Sequence, residues 1–116
     1  MKAAIASRRL REVLIVVAAS AVATPALAQD AAAGRAKAQA CAVCHGLNGI
    51  SVTPDAPHLA GQPAIYLAAQ LRAYRDGTRK HEVMAVMAKP LTDDDIQQLA
   101  AWFSSIRVEA TLPASK

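Results

Sequence analysis

The feature that most constrains this chain is Cys41-Ala42-Val43-Cys44-His45, where two cysteines and a histidine fall within five residues. No other cysteine occurs among the 116 residues. The spacing C-x-x-C-H is the signature for covalent attachment of a c-type haem. On one helical turn, each thiol can add to a vinyl group at the porphyrin edge, and the imidazole that follows can coordinate iron. The motif therefore predicts one covalent haem on Cys41 and Cys44, with His45 as an iron ligand.

Three other roles for this motif are less well supported. A disulfide between Cys41 and Cys44 would fit an oxidising compartment. A thioredoxin-type redox site requires a βαβ context, but no run of alternating β-branched residues occurs after residue 28. A structural zinc site needs four ligands, and His58 and His81 are the only other histidines. The residues therefore favour haem.

A low-spin electron-transfer haem usually has a second axial ligand, and Met opposite His raises its reduction potential. Met84 and Met87 are the candidates, because Met1 lies in the N-terminal leader described below. His58 and His81 are the alternatives. Met84 and Met87 stand three apart on a possible turn, so spacing alone leaves open which one is the ligand and which one packs in the core.

The first 28 residues have the pattern of a secretory signal peptide. Lys2, Arg8 and Arg9 form a basic region, residues 13–23 are apolar, and Ala26-Leu27-Ala28 matches a cleavage signature. The apolar run is about 11 residues long, against roughly 20 needed to span a bilayer, which favours a cleaved leader over a membrane anchor. We expect a signal peptide at 1–28 and a single haem-binding domain at 29–116. That domain would be periplasmic, with no membrane insertion after cleavage.

The charge of the chain changes once the leader is set aside. The whole chain carries a formal charge of +4, but residues 29–116 contain nine basic and eight acidic residues, a net charge of +1. Two haem propionates, each about −1 near neutral pH, would bring that value slightly below zero. No basic stripe for nucleic acid remains, so no nucleic-acid partner is expected.

The residues after the leader predict an all-α domain with long loops. A first helix is expected over residues 31–42, with Asp30 as its N-cap. A second begins at Pro63, which suits a first helical position, and Gly77 is a plausible stop. Its apolar stripe at helical spacing contains Ala64, Leu67, Ala68, Leu71 and Tyr74.

A third helix is expected to follow Thr92. Thr92 can cap it, and Asp95 stands three residues on, a weaker relative of the capping box. The acidic run 93–95 lies where the helix dipole favours negative charge, so a solvated helix start explains it better than a metal site. The apolar face contains Ile96, Leu99, Ala100, Phe103 and Ile106. Residues 46–60, with Asn48-Gly49, Pro54 and Pro57, are predicted to be a loop.

Taken together, these residues resemble the class I cytochrome c family, in particular its small cytochrome c553-like and c4-like branch. The resemblance covers nearly all of residues 29–105. It rests on the following segments: Cys41-Ala42-Val43-Cys44-His45-Gly46, Pro57-His58-Leu59-Ala60-Gly61-Gln62, Tyr74-Arg75-Asp76-Gly77, Leu91-Thr92-Asp93-Asp94-Asp95-Ile96 and Leu99-Ala100-Ala101-Trp102-Phe103. It implies a class I cytochrome c fold, with three to four helices and long loops wrapped around one covalent haem c and its iron.

The resemblance also implies roles for single residues. The family's axial Met lies seven residues before the leucine that precedes the last helix, which corresponds to Met84 before Leu91. A proline carbonyl, here that of Pro57, accepts a hydrogen bond from the proximal His45. The first and last helices cross beside the haem, with Ala33-Gly34 and Trp102-Phe103 as crossing residues. His58 and His81 have no ligand role and are expected at the surface or rim.

The expected function is one-electron transfer by a carrier that is not an enzyme. The alternatives are an electron-transfer subunit of a periplasmic dehydrogenase such as a flavocytochrome and, less favoured, a catalytic or sensing haem with five-coordinate iron. The partners would be redox proteins: an oxidase, a reductase or a dehydrogenase. Arg75, Arg79, Lys80 and Lys89 could face an acidic partner, although a solvated face also explains them.

Overall fold

The computed structural model describes residues 26–114, with side-chain surroundings from Asp30 onward. The signal-peptide prediction for residues 1–28 lies almost wholly outside this range. Five α-helices follow in chain order: α1 Ala26–Lys37, α2 Ala42–His45, α3 Ala64–Asp76, α4 Glu82–Ala88 and α5 Asp93–Ser105. A 3-10 turn, Ala38–Cys41, joins α1 to α2 without a break. No strand occurs in residues 26–114, and the all-α prediction is confirmed.

Helix α1 begins earlier than the sequence pattern predicts. The prediction that Asp30 caps a helix starting at Ala31 is wrong, because the structure is already helical from Ala26. Ala, Leu and Gln all favour helix, and no Gly or Pro separates Ala26 from Asp30. None of the helices in residues 26–114 is long and apolar enough to cross a membrane.

The other helix boundaries follow their local signals closely. Pro63 lies at the N-cap of α3 rather than at its first helical position, and Gly77 ends the helix in the left-handed conformation with φ 79°. In α5, Asp95 N–H donates to the Thr92 hydroxyl at 3.1 Å, and Thr92 N–H donates to the Asp95 carboxylate at 2.9 Å. This is a complete capping box, stronger than the sequence alone suggested.

Asp95 also ties α5 to the first helix. Its carboxylate lies 2.6 Å from the Lys37 ammonium of α1. The hydrogen bond from Lys37, followed by the bond from the Thr92 amide, lowers the pKa of Asp95 from 3.8 to about 2. The stabilisation from this ionised group is therefore complete above about pH 3.8 and is lost as the pH falls through about 2.

Helices α1 and α5 cross at a glycine, as the resemblance implied. A Cβ atom placed on Gly34 would overlap the backbone carbonyl of Gln98 and lie 2.8 Å from the Trp102 Cβ. Arg35 of α1 also stacks on the Trp102 ring, with its guanidinium carbon 5.6 Å from the ring centroid. The backbones approach this closely only because residue 34 has no side chain.

Gly34→Ala should therefore destabilise the domain by about 3 kcal/mol or more, because the added methyl group meets backbone rather than a movable side chain. Thermal unfolding of the purified protein, followed by circular dichroism, measures the loss. Ala36→Ser on the exposed side of α1 is the matched control and should be close to neutral. An unchanged melting temperature for Gly34→Ala would contradict the close crossing.

The core lies between α1, α3 and α5. Its buried members are Ala38, Leu67, Ala68, Ile96, Leu99, Ala100 and Phe103. Its large side chains are Phe103, Ile96, Leu99 and Leu67, each no more than 6% exposed. Helix α4 packs on α3 and contributes the buried Ala88. The sequence suggested no more than a possible turn at α4, and the structure makes it a helix that carries both candidate methionines.

Candidate haem-binding site

The motif lies at the end of the continuous helical segment formed by α1, the 3-10 turn and α2, directly before the loop that leads to α3. Cys41 ends the 3-10 turn, while Cys44 and His45 lie in the single turn of α2. Both cysteines are free thiols and partly buried, and His45 is 8% exposed. The left-handed Gly46, with φ 72°, ends α2 and directs the chain away from the motif. One short helical segment therefore presents the two thiols and the imidazole together.

The orientation of the His45 ring is fixed by the loop that follows. Its Nδ1 lies 2.8 Å from the carbonyl oxygen of Pro57. A carbonyl can only accept, so Nδ1 carries the proton and donates. In the neutral imidazole, Nε2 is then the nitrogen without a proton and is the one available to a metal, which is the usual arrangement of a histidine ligand. The hydrogen bond that the resemblance implied between these residues is present.

The loop that supplies Pro57 is held against the motif and α5. The Ser51 hydroxyl lies 3.1 Å from the Cys44 carbonyl oxygen, and the Ser51 amide donates to His58 Nδ1 at 2.7 Å. The Trp102 indole donates to the Leu47 carbonyl at 3.2 Å. His58 is thus an exposed residue that supports the loop, in agreement with the expected surface position. The sequence pattern did not identify these contacts, since no local spacing signals them.

A mainly apolar cavity opens beside Cys41. It is lined by Lys37, Ala40, Cys41, Leu71, Met84, Met87, Leu91 and Leu99. Lys37 is the charged member, and its ammonium pairs with Asp95. Met84 and Met87 therefore face the same space as a motif cysteine, and the lining does not distinguish between them. Met87 is 39% exposed, so it is not a fully buried core residue.

Burial affects the chemistry of the first cysteine. Desolvation raises the pKa of the Cys41 thiol above its ordinary value of 9.0. A neutral thiol beside apolar side chains is poorly suited to a zinc ion, which binds thiolates. In residues 26–114, moreover, no three His, Cys, Asp or Glu side chains are grouped to hold a metal ion. Two thiols on one turn, an imidazole with a free Nε2 and an apolar wall together fit a covalently attached porphyrin.

The basic residues named as a docking face have different surroundings. Arg75 is partly exposed and donates hydrogen bonds to Asp76, Asp93 and the Leu91 carbonyl. Arg79 stacks on Tyr74 and donates to Gln70 at 2.6 Å. Lys80 and Lys89 are exposed. Arg75 is therefore a partly exposed charge that is paired within the fold, and its role toward a partner stays a prediction.

Comparison with known proteins agrees with this site. The family model described as Cytochrome c matches residues 31–107. Cytochrome c-554(548) of Halomonas halodenitrificans is 47% identical over 81 residues, covering 67% of this chain and 98% of that protein. The thiosulfate dehydrogenase electron acceptor of Stutzerimonas stutzeri is 42% identical over 74 residues, covering 61% of this chain and 34% of that protein.

A solved structure supports the fold. Reduced recombinant cytochrome c4 from Pseudomonas stutzeri superposes with a TM-score of 0.63 at 40% identity, covering 66% of this chain and 45% of that one. The chain thus spans nearly the whole of the c-554(548) relative but less than half of cytochrome c4. With one C-x-x-C-H motif in this chain, the comparisons confirm the predictions of a single covalent haem c and of an electron carrier rather than an enzyme. The chain therefore belongs to the cytochrome c family.

Proposed function

We propose that this chain is a periplasmic one-electron carrier whose haem is attached through Cys41 and Cys44 and ligated by His45 and Met84. The observation that carries this proposal is the hydrogen bond from His45 Nδ1 to Pro57, which leaves Nε2 free for iron. Met84 lines the apolar cavity beside Cys41, so a thioether is available on the same side of the fold as the motif. Bound haem would supply a reversible one-electron change at iron.

The chain's own residues would have four roles toward the haem. Cys41 and Cys44 would keep it attached in both oxidation states. Pro57 would hold the imidazole of His45 in one orientation and tautomer. The apolar lining, which includes Leu71 and Leu99, would exclude water from the porphyrin face. Met84, a soft ligand, would favour reduced iron and so raise the reduction potential.

The choice of Met84 over Met87 rests on the family spacing back from Leu91. The Met84 side chain is half-buried, whereas the Met87 side chain is exposed, with 39% of its surface accessible. This difference agrees with a Met84 side chain that faces further inward. Periplasmic location rests on the signal-peptide pattern of residues 1–28. The proposed partner is a dehydrogenase from which this carrier accepts electrons, in line with the similarity to the thiosulfate dehydrogenase electron acceptor of Stutzerimonas stutzeri. A tightly bound subunit of such an enzyme is the alternative.

The proposal can be tested on protein that is expressed from the full-length sequence, including residues 1–28, and recovered from the periplasm. Mass spectrometry should show a chain beginning near Gln29 with one haem added. A spectroelectrochemical titration should follow a one-electron Nernst curve, and the ferric protein should show the weak red absorption band of a Met-ligated haem. Rapid carbon monoxide binding by a protein without that band would instead support the five-coordinate alternative.

A further inference from the structure

The last turn of α3 contacts the segments just before and just after α4, the helix that carries the methionines. At the N-terminal end, the Arg79 amide donates to the Ala73 carbonyl at 3.0 Å. The Tyr74 ring meets the His81 ring edge-on, with centroids 6.2 Å apart. His81 is the N-cap of α4, and its Nδ1 accepts from the Met84 amide at 3.3 Å. Contacts with α3 thus fix the position of the segment that precedes α4.

Beyond the C-terminal end of α4, the guanidinium of Arg75 connects α3 to the segment that follows α4. Arg75 Nη1 donates to the Leu91 carbonyl at 3.2 Å and to the Asp93 carboxylate at 3.0 Å. Its Nε donates to Asp76 at 3.2 Å. The Arg75 side chain is 22% exposed, and Leu91 lines the same cavity as Met84 and Met87. Arg75 therefore joins α3, the segment after α4 and the start of α5.

We propose that Arg75 is a positioning residue that keeps α4 closed over the haem site and so controls how readily Met84 leaves the iron. This inference rests on the ligation proposed above. Helix α4 has seven residues, and a helix that short has little stability of its own. Its position must therefore come from its contacts with the rest of the fold. Without Arg75, the Leu91 carbonyl and the Asp93 carboxylate would each lose a charge-assisted hydrogen bond, so local opening of α4 would become easier.

Azide binding to the ferric holoprotein tests this role. Arg75→Leu should increase the azide affinity about tenfold, the effect expected when the charge-assisted bond to the Leu91 carbonyl no longer opposes opening. The weak red band should also lose intensity. Removing a positive charge would by itself weaken the binding of an anion, so tighter azide binding cannot be an electrostatic effect. Arg75→Lys should also bind azide more tightly than the wild type, because an ammonium cannot reproduce the planar donor geometry.

Arg72→Leu is the matched control. Arg72 lies one turn earlier on α3, and its Nε is 3.5 Å from the Asp93 carboxylate. The Leu91 carbonyl, however, accepts its hydrogen bond from Arg75. This variant should bind azide no more tightly than the wild type. Equal gains in both leucine variants, or a lower melting temperature for Arg75→Leu with wild-type azide affinity and band, would overturn the proposal. If Arg75→Leu does not fold, the same comparison is made with Arg75→Lys. A wild type without the band would refute both this inference and the Met84 ligation, whereas an intact band unaffected by Arg75 variants would refute this inference alone.

Discussion

Replacing Cys41 and Cys44 together by serine should abolish haem attachment and most of the cooperative fold. The reason is the small core, whose buried cluster in the described part of the chain has four large side chains, Leu67, Ile96, Leu99 and Phe103, and otherwise only alanines. The apolar lining beside Cys41 belongs to a site that the porphyrin would complete. Mass spectrometry should show no added haem, and circular dichroism should show reduced helicity with a broad melting transition.

Val43→Ala is the matched control for the cysteine pair. Val43 lies between the two cysteines and is 80% exposed, so its loss should leave both haem attachment and melting close to the wild type. Two results would count against the prediction. One is a wild-type protein with a Cys41–Cys44 disulfide and no haem. The other is a double-serine variant that remains fully helical and unfolds cooperatively, which would show that haem is not the centre of the core.

Met84→Ala should remove the weak red absorption band, lower the reduction potential and open the ferric iron to azide and the ferrous iron to carbon monoxide. The physical reason is the loss of a soft axial thioether, which stabilises reduced iron and occupies the sixth position. Absorption spectroscopy, potentiometric titration and ligand binding on the purified holoprotein measure the three effects. Added peroxidase-like activity would accompany the open site.

Met87→Ala provides the control, since Met87 lies on the same helix and lines the same cavity. It should keep the band and lose packing only. Complete burial would predict a cost of about 2–5 kcal/mol, but the 39% exposure of Met87 places the expected loss below that range. If the band survives Met84→Ala and disappears in Met87→Ala, Met87 is the ligand and the spacing from Leu91 does not identify it.

The sequence determined the features that depend on neighbouring residues. Two thiols and an imidazole on one turn need only the spacing of Cys41, Cys44 and His45, so the haem chemistry could be predicted directly. The start of α5 at Thr92 and the end of α3 at Gly77 depend on hydrogen bonds and φ values within a few residues. Even locally, the start of α1 was misplaced, because favourable helix formers extend it beyond Asp30.

Tertiary structure decided the features that join distant parts of the chain. Helix α4 is too short for a clear hydrophobic period, and its position comes from contacts with α3. Arg75 looked like one of several surface charges, but Leu91 and Asp93, 16 and 18 residues away, occupy its donors. Gly34 is tightly constrained because Gln98 and Trp102 of α5 lie against it. The spacing of residues in the sequence therefore determined the reactive groups. Packing against α3 placed the methionines of α4, because those contacts join residues with no regular separation in the chain.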